Sequence, residues 1–354
     1  MLTNDLHKAL RPLLASYDPQ QIVVVTGQDV NACRPEIAAL GYPVLTMQGG
    51  EENKSIVAVQ RIWDFLLEHN ITRRGLLICF GGGIVTDLGG FAASTYKRGL
   101  NYINIPTTLL AMVDASTGGK TGFNYAGLKN CIGSFCAPVE TIICPPLLDT
   151  LSAEQLLSGY AEMLKTALLD GPELFNALLQ YDLDTMPVAD LAPLIGRCLT
   201  VKERIVQSDP HEKGLRKALN LGHTVGHALE ELGLQPSAIS HQPSENRQSS
   251  NRQLLHGYAV LYGLIAELYL SVVRLGMSRE PLQQLTQLML HYYGRPQCKC
   301  SDREHLIALM EQDKKNERTT EINCTLIHSI GQPAINQVIS RSEMNEALDY
   351  LFSL

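Results

Sequence analysis

Short runs of β-branched and apolar residues alternate with helical patterns over the first 150 residues. Gln21 to Thr26 and Leu76 to Phe80 have the length and the Val/Ile/Leu content of buried strands, and Ser55 to Glu68 between them has the apolar spacing of a helix. A weaker strand pattern lies at 42–46, and further strands are predicted at 102–105 and 141–144. Strands separated by helices pair in parallel with helices on both faces, so we expect an α/β fold here.

The pattern changes near Pro145-Pro146, and the second half is predicted to be mainly helical. Helical apolar spacing covers 152–169, 187–206, 216–232, 257–275, 281–293 and 302–311. One late β segment is expected at 321–327, and the Ser-, Gln-, Asn- and Pro-rich stretch 234–253 is expected to be a solvated loop. A chain of 354 residues fits about two domains, which we place at 1–148 and 149–354.

Charge and composition exclude several classes of protein. The formal net charge is −7, which argues against nonspecific nucleic-acid binding because that needs a basic face. The apolar runs are broken before about 18 residues, so no membrane span is expected. The chain start lacks the basic and apolar regions of a secretory signal, so we expect a cytoplasmic protein.

The nine cysteines are odd in number and occur in a large chain, which favours reduced thiols over a disulfide framework. Cys79 and Cys144 lie in apolar runs and are predicted core residues. Cys298-Lys299-Cys300 is a weak zinc motif because no second pair is nearby, and structural thiols are the favoured interpretation.

A glycine-rich turn follows the predicted strand at 76–80. The sequence F-G-G-G-I-V-T-D at 80–87 leaves that strand and enters a helix, where backbone N–H groups and the helix N-terminus favour a phosphate. A tight turn without a ligand stays open as the alternative, and Asp87 is either a ligand contact or a helix-start charge. The segment Gly49 to Lys54 also follows a strand pattern and offers a second loop over the same crevice.

Histidine and glutamate residues in helical segments indicate a metal site. His223 and His227 are four residues apart and share a helix face, and His256 opens the next helix. Glu162 lies on an otherwise apolar helix face, where an unpaired carboxylate is costly and a metal would be a partner. One Glu and two His form the three-ligand set of a catalytic zinc site, which leaves the third His for proton transfer or anion binding. Ordinary core or surface histidines are the alternative.

Cationic side chains recur in segments that resemble site loops or site helices. Singly each is typical of a solvated surface, but together they suit a substrate with a carboxylate and a phosphate. They are Lys120, Lys129, Lys165, Lys202, Arg216, Lys314 and Lys315. Gly118-Gly119-Lys120-Thr121 is not a P-loop, because Asp114 stands where that motif needs its first glycine.

Seven ordered motifs make the chain similar to the 3-dehydroquinate synthases of the sugar phosphate cyclase superfamily. They are G-G-G-I-V-T-D at 81–87, R-G-x-x-x-x-x-I-P-T-T-L-L at 98–110, V-D-A-S-T-G-G-K-T-G at 113–122, K-N-x-I-G at 129–133, S-G-Y-A-E-M-L-K at 158–165, L-N-L-G-H-T-V-G-H-A-L-E at 219–230 and D-K-K-N at 313–316. The resemblance extends from about residue 20 to residue 330. It implies an N-terminal Rossmann-like NAD-binding domain, a C-terminal mainly helical metal-binding domain, and a homodimer.

The resemblance also implies the site residues. Zn²⁺ or Co²⁺ would be held by Glu162, His223 and His256. NAD contacts would come from Gly50, Glu51, Lys54, Gly82, Gly83, Ile84, Val85, Thr86, Asp87, Thr107, Thr108, Lys120, Lys129, Leu147 and Thr150. The substrate pocket would be lined by Asp114, Lys120, Asn130, Lys165, Lys202, Arg216, Asn220, His227, Lys314 and Lys315.

Family members convert 3-deoxy-D-arabino-heptulosonate 7-phosphate to 3-dehydroquinate and phosphate in the shikimate pathway. They do so by transient NAD oxidation, phosphate elimination, re-reduction and aldol closure. The implied partner is this small anionic sugar phosphate, not a nucleic acid or a membrane. Two positions depart from the family pattern: Tyr258 stands in H-G-Y where many relatives have H-G-E, and Thr86 stands where Gly is frequent.

Three alternatives remain beside this resemblance. They are another sugar phosphate cyclase, a metal-dependent NAD polyol dehydrogenase of related fold, and a zinc-stabilised nucleotide-binding protein without catalysis. The dense Lys, Arg and Asn set favours a substrate that carries both a carboxylate and a phosphate.

Overall fold

The structure, a computed structural model, describes residues 1–126, 128–233, 254–297, 302–312 and 321–354. Its contacts divide the chain into one unit of Met1–Leu156 with Pro187–Glu203, and another of Leu157–Met186 with Arg204–Leu354. The prediction of one boundary after residue 148 differs from this division. The segment 187–203 belongs to the first unit, where the Lys202 ammonium lies 2.7 Å from the Asp114 carboxylate.

A parallel sheet forms the centre of the first unit. The strands of this unit are β1 (Ile22–Gly27), β2 (Val44–Met47), β3 (Leu76–Gly81), β4 (Asn101–Pro106), β5 (Lys120–Tyr125), β6 (Leu128–Phe135) and β7 (Glu140–Thr141). Five of them pair in parallel in the order β2-β1-β3-β4-β7, which confirms the predicted α/β fold. The strand order changes direction between β1 and β3, so a ligand crevice is expected outside their carboxyl ends.

Five helices of the N-terminal part of the chain belong to the first unit. They are α1 (Leu6–Leu14), α2 (Gln28–Cys33), α3 (Pro35–Ala39), α4 (Ile56–Glu68) and α5 (Gly83–Thr95). Val59, Ile62 and Leu66 recur at helical spacing and bury one face of α4 in the core. Strands β5 and β6 form an antiparallel hairpin that the sequence analysis did not predict, because β6 is largely exposed and lacks an apolar face.

The later part of the chain is mainly helical, as predicted. Its helices are α6 (Ala153–Asp170), α7 (Pro172–Gln180), α8 (Ala192–Ser208), α9 (His223–Leu232), α10 (His256–Leu275), α11 (Arg279–Tyr292), α12 (Arg303–Glu311) and α13 (Arg341–Ser353). Strands β8 (Ile322–Ser329) and β9 (Gln332–Ile339) form an antiparallel hairpin. The predicted segment at 321–327 corresponds to β8, whereas α7, β9 and α13 were missed.

The prediction of one continuous helix over 216–232 is wrong. A 3₁₀ helix at Leu215–Asn220 ends before Gly222, and α9 begins at His223. Gly222 has φ 79°, a left-handed conformation that glycine adopts without a Cβ clash. Asn220 therefore lies in the 3₁₀ helix and not in the helix that carries His223 and His227.

Helix α10 is long and apolar enough, by length and composition, to cross a membrane, which contradicts the expectation that no such stretch exists. The most apolar 18-residue stretch of this helix has a mean hydropathy of 1.5. However, 72% of that stretch is buried inside the protein. A helix that is apolar on all sides is typical of a protein core. Burial within its own unit thus accounts for this composition.

The cysteine predictions hold where the structure describes them. Cys79 and Cys144 are buried, and the cysteines described at 33, 79, 131, 136, 144, 198 and 324 form no disulfide among the described residues. Cys298 and Cys300 lie outside the described residues, as does the predicted loop 234–253.

Glycines let the backbones of α9 and α10 approach closely. A Cβ added to Gly263 would lie 1.9 Å from the Gly222 carbonyl oxygen, and one added to Gly226 would lie 3.0 Å from the Ala259 carbonyl oxygen. These nearest atoms belong to the backbone, which cannot move aside as the end of a flexible side chain can. The spacing of the two helices therefore depends on these glycines.

Gly263→Ala is expected to destabilise the protein by about 1–3 kcal/mol or more, because overpacking must displace backbone. Thermal unfolding followed by circular dichroism measures this as a lower Tm. Gly171→Ala is the control, since a Cβ there meets nothing within 4 Å and its φ is extended at 173°. An unchanged Tm for Gly263→Ala would contradict the close approach.

Candidate functional site

Glu162 is a carboxylate buried in the apolar helix α6, with an exposure of 0%. Both of its oxygens are shielded from solvent, and neither accepts a hydrogen bond of regular geometry from the described residues. A buried carboxylate without such bonds needs another source of positive charge. The residues around Glu162 show where that charge can lie.

His223 and His256 bring one nitrogen each to the same side of Glu162. Nε2 of His223 lies 3.7 Å from Glu162 Oε1, and Nε2 of His256 lies 3.3 Å from it. One donor atom from each of the three residues falls within 4.8 Å of the others. Tetrahedral ligands at about 2.1 Å from a metal are about 3.4 Å apart. The donor types and spacings therefore fit a divalent cation.

The opposite ring nitrogens have partners that keep both Nε2 atoms directed at Glu162. Nδ1 of His223 lies 3.1 Å from the Leu221 carbonyl oxygen, and Nδ1 of His256 lies 3.2 Å from Glu230 Oε2. Ligating histidines in metal sites commonly donate the other N–H in this way. In the neutral ring, this arrangement favours the tautomer with a lone pair on Nε2.

Glu267 of α10 holds the start of α9. This fully buried carboxylate accepts hydrogen bonds from the backbone N–H groups of Gly222, at 2.6 Å, and Thr224, at 3.2 Å. Gly222 has no side chain to cap the helix, so a carboxylate from the neighbouring helix supplies the cap. The two bonded N–H groups flank His223 and fix its backbone.

Lys165 gives Glu162 a cationic neighbour one turn along α6. Its Nζ lies 2.5 Å from Glu162 Oε2, and both side chains are buried. Burial alone would raise the pKa of Glu162, but Lys165 and His256 outweigh it and hold that pKa well below its ordinary value. Oε2 thus faces the lysine, while Oε1 faces the two imidazoles.

The pKa of His256 also reflects the local negative charge. Burial disfavours the charged imidazole, but Glu230 and Glu162 outweigh this effect and raise the pKa of His256 to about 10. The pocket is therefore strongly attractive to positive charge, which is the electrostatic requirement of a metal centre.

His227 lies beside the cluster of Glu162, His223 and His256. Its ring centroid is 5.3 Å from that of His223 and 6.1 Å from that of His256. One turn of α9 separates it from His223 and places both rings on one face. The position is suited to proton transfer beside the Glu162, His223 and His256 cluster.

The predicted cofactor segments of the first unit lie at the carboxyl edge of its sheet. Gly82 and Gly83 join β3 to α5, where a Cβ on Gly82 would lie 3.1 Å from Thr108 Cγ2. Thr107 follows β4 and donates its backbone N–H to the Gly81 carbonyl oxygen. Gly50 precedes the turn after β2 with φ 97°. Ile84, Val85, Thr86 and Asp87 form the first turn of α5, with Val85 and Thr86 buried.

Lys54, Asp87 and Asn130 come together in the first unit. The Lys54 Nζ lies 2.6 Å from Asp87 Oδ2 and 2.5 Å from Asn130 Oδ1. Burial raises the pKa of Asp87 above its ordinary value, and Lys54 opposes the shift. Glu51 is joined to this region by Asn124, which donates to Glu51 Oε1 at 2.9 Å.

Leu147 and Thr150 are held by an arginine that the sequence analysis missed. Arg34 is buried, and its Nη2 donates to the Leu147 carbonyl oxygen at 2.5 Å and to Thr150 Oγ1 at 2.8 Å. Lys120 begins β5 on the surface, and Lys129 lies half-buried on β6. Nothing in the local pattern of Arg34 distinguished it from a surface arginine.

The remaining predicted substrate residues divide between the two units. Lys202 pairs with Asp114 in the first. In the second, Arg216 is buried and donates to the Pro210 carbonyl oxygen at 2.7 Å, and Asn220 donates to Glu212 Oε1 at 2.9 Å. Lys314 and Lys315 lie outside the described residues.

Glu230 was also missed, although a signal existed. It lies seven residues after His223, a spacing that returns to the same helix face. Its motif, G-H-T-V-G-H-A-L-E, was noted only for its histidines.

Comparison with known proteins identifies the family. The model of the 3-dehydroquinate synthase N-terminal region matches residues 44–158, and that of the C-terminal region matches residues 159–316. A 3-dehydroquinate synthase of Parabacteroides distasonis is 41% identical over 356 residues, covering 99% of this chain and 96% of the relative.

The chain belongs to the 3-dehydroquinate synthase family.

Further similar proteins are members of this family or share its fold. A 3-dehydroquinate synthase of Pyrococcus furiosus is 36% identical and covers 86% of each chain. The solved 2-epi-5-epi-valiolone synthase of Streptomyces hygroscopicus subsp. jinggangensis, with NAD⁺ and Zn²⁺ bound, has a TM-score of 0.81 at 26% identity, covering 99% of this chain and 95% of that one. A 2-deoxy-scyllo-inosose synthase shows the same fold, with a TM-score of 0.79 at 19% identity and the same coverage.

Glu162→Gln is expected to abolish stoichiometric zinc binding, because it replaces the charged ligand of the cluster with a neutral amide. Metal content after dialysis against zinc measures the effect, with circular dichroism as the check on folding. Glu173→Gln, on the exposed surface of α7, is the matched control. Full zinc occupancy in Glu162→Gln would refute the assignment of this ligand.

Proposed function

We propose that the protein catalyses the 3-dehydroquinate synthase reaction, the conversion of 3-deoxy-D-arabino-heptulosonate 7-phosphate to 3-dehydroquinate and phosphate. The observation that carries this proposal is the Glu162, His223 and His256 cluster, flanked by Lys165 and His227, in a chain of this family. The protein is an enzyme by family, and its lyase chemistry with NAD and a divalent metal is the finer proposal.

Glu162, His223 and His256 would hold the metal. The donor set of one carboxylate oxygen and two imidazole nitrogens suits Zn²⁺ and also Co²⁺, and the donor spacing fits either ion. When bound, the ion would supply Lewis acidity toward substrate hydroxyl groups. The solved valiolone synthase contains Zn²⁺ and the solved inosose synthase contains Co²⁺, which supports a site of this kind.

The first unit would bind NAD at the carboxyl edge of its sheet. Gly82 and Gly83 open helix α5, whose first N–H groups suit the pyrophosphate, and Thr107 and Thr108 follow the adjacent strand. NAD would supply reversible hydride transfer with no net redox change. The Lys54–Asp87–Asn130 group and the Arg34-anchored Leu147 and Thr150 would border this cofactor.

Polar and cationic residues would bind the two anionic ends of the substrate. Charge-assisted hydrogen bonds of Lys and Arg to carboxylate or phosphate are the strong ones, each contributing about 1.5–3 kcal/mol. We assign this role to Asp114, Lys120, Asn130, Lys165, Lys202, Arg216, Asn220, Lys314 and Lys315. Lys165 would place its ammonium group between Glu162, with which it forms an ion pair, and the substrate.

His227 would move a proton of a substrate hydroxyl group or steady the phosphate. Its ring lies beside both ligand imidazoles but outside the three-residue donor cluster. General acid–base catalysis of this kind is worth about 10²–10⁴ in rate.

The decisive assay follows phosphate and NADH together. Purified protein with zinc, NAD⁺ and the heptulosonate phosphate is expected to release one phosphate per 3-dehydroquinate without accumulating NADH. Pretreatment with a chelator is expected to stop the reaction, and added zinc to restore it. Lasting NADH without phosphate would indicate a polyol dehydrogenase instead, and an inosose or valiolone product another sugar phosphate cyclase.

His227→Gln is expected to lower kcat by about 10²–10⁴ while leaving the zinc content unchanged. Paired measurements of steady-state rate and metal stoichiometry separate proton transfer from metal binding. His291→Gln changes an exposed histidine elsewhere in the same unit and serves as control. A rate equal to that of the unmodified enzyme would exclude His227 from proton transfer.

A cytoplasmic homodimer is part of the proposal. The β5–β6 hairpin exposes the large apolar side chains of Tyr125, Leu128 and Phe135, by 55%, 60% and 55%. Clustered exposed apolar groups are typical of interaction surfaces, and a second copy of the chain is the partner that the family implies.

A further inference from the structure

The carboxylate of Glu230, which is not one of the assigned metal ligands, contacts the imidazole of His256. Glu230 lies on α9 and is buried, with an exposure of 8%. Its Oε2 is 3.2 Å from Nδ1 of His256, while Nε2 of the same ring is 3.3 Å from Oε1 of Glu162. The His256 ring is therefore held between two carboxylates, one at each nitrogen.

The two ring nitrogens cannot play the same role when a metal is bound. A neutral imidazole carries its proton on one nitrogen and a lone pair on the other. A proton donated from Nδ1 to Glu230 leaves the lone pair on Nε2, which faces Glu162 and His223. Without an acceptor at Nδ1, the ring could adopt the other tautomer or rotate away from the metal position.

We propose that Glu230 is a positioning residue of the metal centre, which fixes the tautomer and orientation of His256 and so sets the affinity for the divalent cation. This inference rests on the metal site of the proposed function. It concerns a residue that would touch neither the metal nor the substrate and acts through His256.

His256 has an acidic partner although Tyr258 departs from the family pattern. Where many relatives have H-G-E, this chain has H-G-Y, and the Tyr258 ring packs against Tyr293 at 4.9 Å between centroids. The carboxylate that contacts His256 comes from α9 and not from the position two residues after the ligand. Thus the substitution at 258 leaves His256 with an acidic partner.

The two imidazoles are held by partners of different strength. His223 has a neutral backbone carbonyl oxygen at Nδ1, whereas His256 has an ionisable side chain. Hydrogen bonds to charged groups are about twice as strong as neutral ones. Because Leu221 contributes through its backbone, Glu230 is the partner that mutation can remove.

The test measures zinc affinity in the full-length protein after its metal has been removed. Titration with Zn²⁺ against a chromophoric chelator gives Kd, and the visible spectrum of the Co²⁺ form reports the ligand geometry. Glu230→Leu removes the acceptor but keeps a side chain of comparable size. Glu230→Gln keeps an acceptor, and Glu231→Gln changes the exposed next residue as the matched control.

Glu230→Leu is expected to raise the zinc Kd by about 10–100-fold and to alter the Co²⁺ spectrum. Glu230→Gln is expected to recover most of the affinity, and Glu231→Gln to match the unmodified chain. If Glu230 had only a structural role, Glu230→Leu and Glu230→Gln proteins of equal Tm would bind zinc with the same affinity.

Two results would overturn the inference: zinc affinity in Glu230→Leu equal to that of the unmodified chain, or Glu230→Gln no better than Glu230→Leu. If Glu230→Leu does not fold, Glu230→Gln is compared with Glu230→Met under the same criterion. Failure of the unmodified chain to bind zinc would instead refute the metal site of the proposed function. The two failures are distinguishable, because the first requires zinc binding by the unmodified chain and the second is its absence. Neither measurement depends on enzymatic activity.

Discussion

The burial of one negative charge governs the arrangement of the second unit. Glu162 is fully buried on the apolar helix α6, where an isolated carboxylate would be costly and therefore needs positively charged neighbours. Lys165 faces one oxygen, and the two imidazoles face the other. Such a cluster contributes little to the stability of the fold, because the attraction within a buried ion pair rarely exceeds the cost of desolvating its charges. Its geometry is better explained by metal binding.

Close backbone approach makes that arrangement possible. Gly222 and Gly263 let α9 and α10 meet at a separation that any side chain would prevent, and the two helices carry His223 and His256. The left-handed Gly222 also ends the preceding 3₁₀ helix, which turns the chain into α9 at the first ligand. Gly222 and Gly263 are therefore structural requirements of the site.

The sequence predicted the features that depend on hydrophobic periodicity and on the energetic cost of burying a charge. The parallel sheet followed from apolar runs, and the meeting of Glu162, His223 and His256 followed from the resemblance and from polar groups on apolar helices. The break at Gly222 was missed because helical spacing continues across it. Arg34 was missed because its partners, Leu147 and Thr150, are more than a hundred residues away in the chain. Glu230 could have been found from its spacing to His223 alone.

Glu267 links the two histidine-bearing helices in a way that affects their motion. Its carboxylate belongs to α10, which begins with His256, yet it binds the N–H groups on either side of His223. A small displacement of α10 along its axis would consequently drag the first turn of α9 with it. The positions of the two imidazoles are thus mechanically coupled through the Glu267 carboxylate.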